Sequence, residues 1–534
     1  MSQTSRILKK VRRGVQHIAY GHPLYQKVLA AGEVPACLAL TPNDPWPGDA
    51  SAGQTLLAAQ AGLFETGDKR ALRHAPETLR NLRAVGTDAA RVASVRLIQS
   101  WLQQFDRWHQ SEWQPDILGA RIAAWIGFYS FYGPAADPDL TAQLIDSLYR
   151  QWRHLLRAIT PSLQGVAAIQ AMRGLVYGGL NFPDGDKALG LACDFLHRQL
   201  AAEILSDGGH VSRNPSVQLH LLQHLVDLQA VFALAGVRWP ETLEMGMRTL
   251  APAVKFFRHG DGKLVLFHGG TEETSLLIEA VLTKATGRGR VLRRLAETGY
   301  ERLVAGRSLL IADAAAPPPR AISPDGHAGL LSFEFSHGRE RLIVNCGSGS
   351  SDAPDWRAAC AATAAHTTLT VEDTNACVLD EEGGVISDIH VTTQRFEDGE
   401  SFGLDMEHDG YERPFGLRHK RTLWLSVDGH TLIGCDRLEE TRIATGKPYA
   451  FTLRWHLHPS VQALIAQGGQ TALLRTPSGS GWRLRVDYDG PLALEGSIYC
   501  GTQTPRRALQ LKTAALTHGA QTIVKWSLTR EGKK

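Results

Sequence analysis

Residues 207–215 carry the side chains that are best suited to bind an anion. They read Asp-Gly-Gly-His-Val-Ser-Arg-Asn-Pro, so that a turn is followed at once by His210, Arg213 and Asn214. Pro215 occupies the favoured first position of a helix, with Asn214 as its N-cap. A cation, an imidazole and an amide are therefore expected at the positive end of a helix dipole, where an anion binds readily. The alternative is that Asn214 only caps the helix and Arg213 pairs with a surface carboxylate.

Histidines recur at the starts and on the faces of predicted strands in the C-terminal half. His366 opens the segment Thr367–Val371, and His419 follows closely on His408–Tyr411. His456 and His458 stand two residues apart, on the same face of a strand. Histidines that converge from separate strands with a carboxylate are able to bind a divalent metal or to act as acid and base. The alternative is that each is a half-buried histidine bonded to the backbone.

Charge balance and cysteine usage limit the classes of function. The 534 residues include 57 basic and 54 acidic ones with no long run of one sign, which gives little support for nucleic-acid binding through a basic surface. The seven cysteines are odd in number and form no CxxC pair, so neither a disulfide scaffold nor a cysteine zinc site is expected. We find neither a signal-peptide core nor a run of about 18 apolar residues. We therefore expect a cytoplasmic protein rather than a periplasmic one, without a transmembrane segment.

The first part of the chain has a helical pattern, and its length predicts two or more domains overall. Apolar residues recur at helical spacing over residues 88–107 and 116–132. Further helical patterns cover residues 138–157, 160–178, 186–205, 215–236, 240–257 and 271–285. Such helices with short connections predict antiparallel hairpins arranged as a bundle, a ring or a solenoid, and the lack of a fixed-period repeat disfavours repeat solenoids.

After the segment Ala314–Pro319 the apolar period changes to two, as in β-strands. The predicted strands are Leu330–Phe335, Arg341–Val344, Thr367–Val371, Arg421–Ser426, Thr431–Asp436, Ala450–Leu457, Ala472–Leu474, Trp482–Val486 and Thr522–Leu528. Val427–His430 is a hairpin signal. This half is predicted to be an antiparallel β-sandwich, with the change from helix to strand near residues 315–325.

The order of these pieces resembles the heparinase II/III-like family of polysaccharide lyases. The resemblance covers most of the chain and rests on Asp44–Gly48, Asp207–Pro215, Arg258–Gly262, Ala365–Leu369, His408–Arg421 and Trp455–Pro459. It implies a multidomain α + β protein, with an incomplete (α/α) toroid followed by an antiparallel β-sandwich and a substrate cleft between them. The implied domains are a lead-in segment at 1–50, the toroid at 51–315 and the heparinase II/III-like sandwich at 325–530.

The resemblance also implies a carbon–oxygen lyase that cleaves uronate-containing oligo- or polysaccharides by β-elimination. This reaction removes the C5 proton of a uronic acid and expels the substituent on O4, so it needs a group that neutralises the carboxylate, a base and an acid. By the resemblance, Asn214 neutralises the carboxylate, with Arg213 or His210 in support as substrate-binding residues. Tyr411 and His366 are the implied catalytic residues from the second half.

One departure from the family concerns the catalytic tyrosine of the helical domain. The corresponding stretch, Lys263–Gly270, contains no tyrosine. We expect His268 to take its place, because an imidazole has a pKa near neutrality. Arg418 is a further candidate for substrate binding.

The resemblance also implies one structural divalent metal, zinc before others. Its ligands would be His366 and His419, completed by Asp388 or, less readily, Asp373. No organic cofactor is implied, and a homodimer is compatible with the resemblance.

Two other functions remain open. A glycoside hydrolase needs two carboxylates a few ångström apart; Glu272–Glu273 and Asp380–Glu382 are the acidic segments available, although solvated loop charges are the simpler interpretation. A non-catalytic glycan-binding or polysaccharide-assembly protein is favoured by the missing tyrosine and disfavoured by the retained Asn214, His366, Tyr411 and His419. Catalysis gains support if Asn214, His268 and Tyr411 line one cleft and loses it if they lie far apart.

Overall fold

A computed structural model describes residues 19–59, 75–160, 163–285, 291–349, 354–381, 383–441, 447–488, 490–502 and 504–532. The described residues group into two compact units. One unit comprises the described residues of Met1–Ala202 and His220–Met247, and the other those of Glu203–Leu219 and Arg248–Lys534. The first unit is helical, and the described strands all lie in the second.

The helices follow the predicted positions closely. Their bounds are α1 Pro23–Ala30, α2 Ala50–Ala58, α3 Ala75–Val85, α4 Asp88–Phe105, α5 Pro115–Gly127, α6 Tyr129–Tyr132, α7 Pro138–Ala158, α8 Gly165–Gly179, α9 Gly185–Glu203, α10 Pro215–Leu234, α11 Glu241–Phe256, α12 Ser275–Lys284, α13 Pro354–Ala361 and α14 Glu412–Phe415. The start of α7 shows why the local sequence is enough to predict where a helix begins. The Asp137 side chain accepts a hydrogen bond from the Leu140 amide at 2.7 Å, and Pro138 holds the first helical position. Within the described part of the chain, no helix is both long and apolar enough to cross a membrane.

Small residues and large aromatic rings together shape the core of the first unit. A Cβ atom on Gly119 would lie 2.2 Å from the carbonyl oxygen of Gln170, so α5 and α8 cross with their backbones in contact. The rings of Trp101 and Trp125 meet edge to face at 5.2 Å, and the Arg121 guanidinium lies 3.9 Å from a Trp101 ring centre. These tryptophans are therefore core residues.

The strands of the second unit form two antiparallel sheets. Their bounds are β1 Arg294–Leu295, β2 Tyr300–Ala305, β3 Ser308–Asp313, β4 Phe333–His337, β5 Glu340–Val344, β6 Leu369–Val371, β7 Val391–Glu397, β8 Ser401–His408, β9 Leu417–Ser426, β10 Thr431–Glu440, β11 Ala450–Leu457, β12 Gln462–Ala466, β13 Thr471–Arg475, β14 Gly481–Asp487, β15 Leu492–Tyr499, β16 Arg506–Leu516 and β17 Gln521–Arg530. One sheet has the order β1-β2-β3-β4-β5-β11-β16-β15, with β6 beside β11, and the other has β12-β13-β14-β17-β10-β9-β8-β7. The hairpin predicted at Val427–His430 joins β9 to β10.

Residues from both sheets share one hydrophobic core. The ring of Phe333, on β4, is stacked on Trp526, on β17, with ring centres 5.7 Å apart. Trp455, on β11, meets the same Trp526 ring edge to face at 5.5 Å. The two sheets therefore pack face to face as a sandwich, as predicted.

The change from helix to strand comes earlier than predicted. β1, β2 and β3 precede the proline-rich segment, whereas the sequence predicts the change near residues 315–325. The reason is burial on both faces: every residue of Ser308–Asp313 is buried, so the strand reads as a short continuous apolar run that periodicity cannot distinguish from a buried helix. The predicted domain limits at 1–50, 51–315 and 325–530 stay predictions.

A carboxylate in the sandwich core joins three strands. Asp436, on β10, accepts hydrogen bonds from His419 Nε2 at 2.8 Å, Arg421 Nε at 2.7 Å and Trp526 Nε1 at 2.9 Å. Burial opposes its ionisation, but Arg421 and His419 hold the pKa of Asp436 below the ordinary value. The second imidazole nitrogen of His419 lies 3.2 Å from His408 Nε2, so both nitrogens of His419 are engaged.

We expect Asp436→Ala to destabilise the protein by about 3–5 kcal/mol, because it leaves the buried Arg421 charge without its carboxylate. The measurement is the midpoint of urea unfolding followed by tryptophan fluorescence. Arg418→Ala is the matched control on the same strand: Arg418 is 38% exposed and pairs with Glu407 and Glu412, so its loss should cost less than about 1 kcal/mol. Equal losses in the two variants would contradict the structural role of Asp436.

Candidate functional site

The candidate site is built around the carboxylate of Asp313, at the end of β3. Asp313 is buried, and its Oδ1 lies 2.5 Å from Arg213 Nη2. Its Oδ2 lies 3.0 Å from His268 Nε2, at ion-pair distance although the geometry is not that of a good hydrogen bond. Burial opposes ionisation, but Arg213 and His268 hold the pKa of Asp313 below the ordinary value. One carboxylate therefore fixes two residues that the sequence analysis had selected.

The guanidinium of Arg213 is fully used inside the protein. Arginine has five N–H donors, and those of Arg213 reach four carbonyl oxygens and one carboxylate, from Thr298, Gly299, Ala315, Ala316 and Asp313. The Tyr300 ring lies 4.8 Å from the guanidinium, and its hydroxyl donates to the Arg213 carbonyl at 2.5 Å. No donor remains for a substrate, so Arg213 positions the site instead of contacting a glycan as predicted.

Asn214 caps α10 through its side-chain oxygen and does not use its amide nitrogen for the cap. Its Oδ1 accepts from the amides of Ser216 at 2.9 Å and Val217 at 3.2 Å, which is the capping role considered from the sequence. The Nδ2 atom has no hydrogen-bond partner among the described residues. It faces Gly269, whose φ of +79° suits glycine, and a Cβ atom there would lie 3.4 Å from Nδ2. Asn214 is therefore both a cap and a candidate anion ligand.

His210 is engaged on both sides of its ring. Nδ1 lies 2.8 Å from the Ser212 hydroxyl, and Nε2 lies 3.2 Å from Glu203 Oε2. The side chain is buried. These contacts fix the turn that precedes Asn214, which is a structural role and not the predicted contact with substrate.

Three histidines form a continuous chain beside Asn214. The backbone N–H of His327 donates to His268 Nδ1 at 3.1 Å. Nδ1 of His327 lies 3.1 Å from His366 Nε2, and His366 Nδ1 lies 2.9 Å from the Ala362 carbonyl oxygen. Burial is the first cause that lowers the pKa of all three imidazoles, to about 4 for His366. All three are therefore neutral at neutral pH.

A second buried carboxylate anchors the loop that carries His268. Oε1 of Glu334, on β4, accepts from the amides of Leu266 at 3.0 Å and Asn345 at 3.1 Å. Its Oε2 lies 3.0 Å from Nε2 of His259. The loop is thus bonded to β4 and β5 at several points, and His268, with φ of +45°, is held in a left-handed conformation that a free loop would avoid.

Glu272 also differs from its interpretation as a solvated charge. It is 2% exposed, and its carboxylate accepts from Tyr499 Oη at 2.5 Å and from the Lys263 ammonium group. His458 Nε2 lies 3.8 Å away. Although burial raises it, these partners together hold the pKa of Glu272 far below the ordinary value. Glu272 is therefore a buried ionised group bound to these donors and not a solvated loop charge.

Tyr411 and Arg418 do not take the roles predicted for them. The Tyr411 side chain is fully buried in the sandwich core, and its hydroxyl donates to the Leu369 carbonyl at 2.8 Å. Burial raises its pKa far above the ordinary value. Arg418 lies on the surface between Glu407 and Glu412. The burial of Tyr411 could not be predicted from the sequence, because a tyrosine next to a strand has the same sequence pattern whether its side chain faces the core or a cleft.

The predicted metal ligands do not form a metal site. Among the described residues, no group of three or more histidine, cysteine, aspartate or glutamate side chains is arranged to hold a metal ion. His366 uses its two nitrogens on His327 and Ala362, and His419 uses its own on His408 and Asp436. Asp388 contacts neither histidine in the described structure. The residues present therefore do not fit the implied zinc.

His327 and Asp313 are not among the candidate residues chosen from the sequence. His327 stands after Ser323-Pro324-Asp325-Gly326, a turn that leads towards a strand, which is the pattern that selected His366. Asp313 ends a buried strand that was expected to be helical. Its role becomes visible only when Arg213, 100 residues away in sequence, is placed beside it.

Comparisons with known proteins agree with this architecture. The model of the heparinase II/III-like C-terminal domain matches residues 287–527. FtsZ-localized protein C from Caulobacter vibrioides is 31% identical over 542 aligned residues, which cover 93% of this chain and 91% of that protein.

The chain belongs to the heparinase II/III-like family.

Solved structures of the family show the same fold. A crystal structure of heparinase III is 13% identical and matches with a TM-score of 0.69, over 86% of this chain and 76% of that one. A mutant of heparan sulfate lyase HepC from Pedobacter heparinus is 13% identical, with a TM-score of 0.61, over 100% of this chain and 92% of that one. The fold is therefore an incomplete (α/α) toroid followed by an antiparallel β-sandwich, as predicted, and it is a polysaccharide-lyase-like fold.

The buried histidines should make the stability of the second unit depend on pH. An unfolded histidine has a pKa of about 6.5, and that of His366 is lowered to about 4 in the folded state. Stability is therefore complete above about pH 6.5 and is lost as pH falls towards 4, since only the unfolded state gains the proton in that range. His366 alone should cost on the order of 2 kcal/mol between about pH 7 and about pH 5.

Urea unfolding at these two pH values measures the effect. The matched variant is His366→Gln, which removes one titrating group and is expected to show a weaker pH dependence. Identical midpoints at both pH values in the unmodified protein would contradict the assignment of neutral buried imidazoles.

Proposed function

We propose that this protein is a lyase that cleaves uronate-containing glycans by β-elimination at the site formed by Asn214, His268 and His366. The observation that carries the proposal is the amide nitrogen of Asn214. It has no partner among the described residues, it lies beside the loop of His268, and the histidine chain continues from that loop to His366. Burial of the whole group supports strong electrostatic interaction with an anion.

The amide of Asn214 suits the carboxylate of a uronic acid. Two N–H donors on Nδ2 are available to its oxygens, while Oδ1 stays bound to the start of α10. When the C5 proton leaves, negative charge grows on these oxygens, so the same hydrogen bonds become stronger in the transition state. The dipole of α10 acts in the same direction, because its positive end lies at Asn214.

The proton can be moved by a neutral imidazole. At neutral pH the histidines beside Asn214 carry no charge, so a lone pair is available in place of the tyrosine of the family. The C5–H electron pair forms the C4–C5 double bond, the bond from C4 to oxygen breaks, and the departing oxygen takes up a proton. The products are an unsaturated uronate and a new chain end, without any change of oxidation state.

Asn214→Asp is the decisive variant. Aspartate caps a helix as well as asparagine does, so stability should be kept, but the substitution replaces two donors with a carboxylate that repels a uronate. Ultraviolet absorbance of the unsaturated product, followed with a panel of uronate-containing oligosaccharides, should rise with the unmodified protein. The rate of this rise should be lower by about 100-fold or more with the variant.

The control is Arg418→Ala, which should keep full activity because Arg418 lies on the surface. New reducing ends without ultraviolet absorbance would instead indicate hydrolysis. Glycan binding without any cleavage would indicate a glycan-binding or polysaccharide-assembly protein on this fold.

A second function is favoured by the relative that is named for its location. FtsZ-localized protein C shares 31% of aligned positions over 93% of this chain. We propose that this protein also associates with FtsZ and that it brings its glycan site to that location.

Binding of the purified protein to purified FtsZ on a biosensor surface tests the association. We expect the unmodified protein and Asn214→Asp to bind within about threefold of each other, because the variant changes one buried donor and keeps the cap. No binding by either protein would remove this second function and leave the lyase proposal intact.

A further inference from the structure

Three buried cysteines lie close together in the second unit. Cys346 follows β5, Cys360 is on α13, and Cys500 follows β15. All three are free thiols, and none of the three residues is more than 4% exposed. The sequence contains no CxxC pair that would predict this grouping, because the three residues are far apart along the chain.

The segments that carry Cys346 and Cys500 run side by side. Gly347 and Cys500 form a parallel bridge, and the backbone N–H of Cys500 donates to the Cys346 carbonyl at 2.6 Å. A Cβ atom on Gly347 would lie 2.8 Å from the carbonyl carbon of Cys500. The two backbones are therefore in direct contact at this point.

Helix α13 packs on the same segment, two residues further along. A Cβ atom on Gly349 would lie 2.4 Å from the carbonyl carbon of Trp356 and 2.5 Å from the backbone nitrogen of Arg357. Cys360 is one helical turn further on, so it shares the face of α13 that meets this segment. In agreement with this placement, the side chains of Cys360 and Cys500 are hydrogen-bonded to each other.

The contact between the two thiols makes them chemically different. The hydrogen bond with Cys360 lowers the pKa of the Cys500 thiol, whereas the same bond and burial raise the pKa of Cys360. Cys360 is thus the donor, and Cys500 is the sulfur that gains thiolate character, which is the reactive form of cysteine. Burial raises the pKa of Cys346 to about 12, and its Sγ lies 3.4 Å from His456 Nδ1, so this third cysteine stays a thiol.

We propose that Cys360 and Cys500 are an oxidation site, at which hydrogen peroxide converts the two thiols into a disulfide that a thiol reductant reopens. The site consists of a sulfur that reacts first, Cys500, and a neighbouring sulfur that resolves the product, Cys360, as in redox-sensing cysteine pairs. This inference does not rest on the proposed lyase function, because neither residue belongs to the site around Asn214.

The two steps balance with hydrogen peroxide as the oxidant. The Cys500 thiolate attacks one peroxide oxygen, so that a sulfur–oxygen bond forms, the oxygen–oxygen bond breaks, and the departing hydroxide takes up the proton that the thiol gave up and leaves as water. The Cys360 sulfur then attacks the sulfenic sulfur of Cys500. The disulfide bond forms, and the hydroxyl group leaves with the Cys360 proton as a second water. The two thiols lose two electrons, and these reduce one peroxide molecule.

The disulfide would fasten α13 to the end of β15, and both are bonded to loops of the candidate site. The Ala361 carbonyl, at the end of α13, accepts the backbone N–H of Ala328 at 2.8 Å. The Gly501 carbonyl, after β15, accepts the backbone N–H of Glu272 at 2.8 Å. A covalent link restricts local opening of the elements that it joins. We therefore expect slower amide hydrogen exchange over residues 354–366 in the oxidised protein.

Mass spectrometry of the full chain tests the site. The protein is reduced with dithiothreitol, freed of reductant and treated in the folded state with a small excess of hydrogen peroxide. The count of free thiols, taken after unfolding, should fall by two. A non-reducing digest should contain one pair of linked peptides, which carry Cys360 and Cys500, and dithiothreitol should separate them.

Three serine variants assign the two roles. Cys360→Ser should leave Cys500 as a sulfenic acid that dimedone traps, because the resolving thiol is absent. Cys500→Ser should leave Cys360 unmodified under the same treatment. The matched control is Cys377→Ser: Cys377 is also buried but packs in a separate hydrophobic cluster, so this variant should form the same linked peptides as the unmodified protein.

Other outcomes would overturn the proposal. These are the absence of linked peptides in the folded protein, a link that runs through Cys346, or a link that forms only after unfolding in urea. Circular dichroism establishes that the oxidised protein is folded. Hydrogen exchange over residues 354–366 that is the same in both redox states would overturn the restriction of α13.

Discussion

The buried carboxylate of Asp313 is the constraint on which the site depends. It is shared between the Arg213 guanidinium and the His268 imidazole, and both residues have positive φ values, +57° and +45°. Each of these conformations costs free energy in a residue other than glycine, and persists only where the surroundings impose it. Asp313 and the carbonyl groups around Arg213 impose it here. The turn before α10, the loop of His268 and the end of β3 are thereby held together within one unit.

This arrangement divides the polar groups into those that hold the structure and those that are left for a ligand. Arg213 and His210, the cation and imidazole that the sequence favours for substrate binding, are fully occupied by carbonyl, hydroxyl and carboxylate groups. Among the described residues around this turn, the uncharged amide nitrogen of Asn214 has no hydrogen-bond partner, since the Asn214 contacts involve Oδ1 and the backbone N–H.

Elsewhere in the sandwich, buried carboxylates join elements in the same way. Glu334 ties the loop of His268 to β4 and β5, and Asp436 ties β9, β10 and β17. The histidines next to them are consumed by these contacts, which explains why a pattern typical of metal ligands yields no metal site among the described residues. A histidine that lies between a carboxylate and a second imidazole, such as His419, already has a hydrogen-bond partner for each ring nitrogen. The fold is shared with heparinase III at 13% identity.

The sequence by itself determined most of the helices, about half of the strands and the fold class. Helix periods, the Asp137 and Asn214 caps and the hairpin at Val427–His430 are set by neighbours within a few residues, and the order of motifs identified the family. The joint role of Asn214, His268 and His366 in one site stays a prediction. Only the tertiary structure decided which of their atoms are free, because each partner comes from far along the chain: Asp313 lies 100 residues from Arg213, and His366 lies 39 residues from His327. The burial of Tyr411 in the core could not be predicted for the same reason, since the burial of a side chain depends on what packs against it and not on its neighbours in sequence.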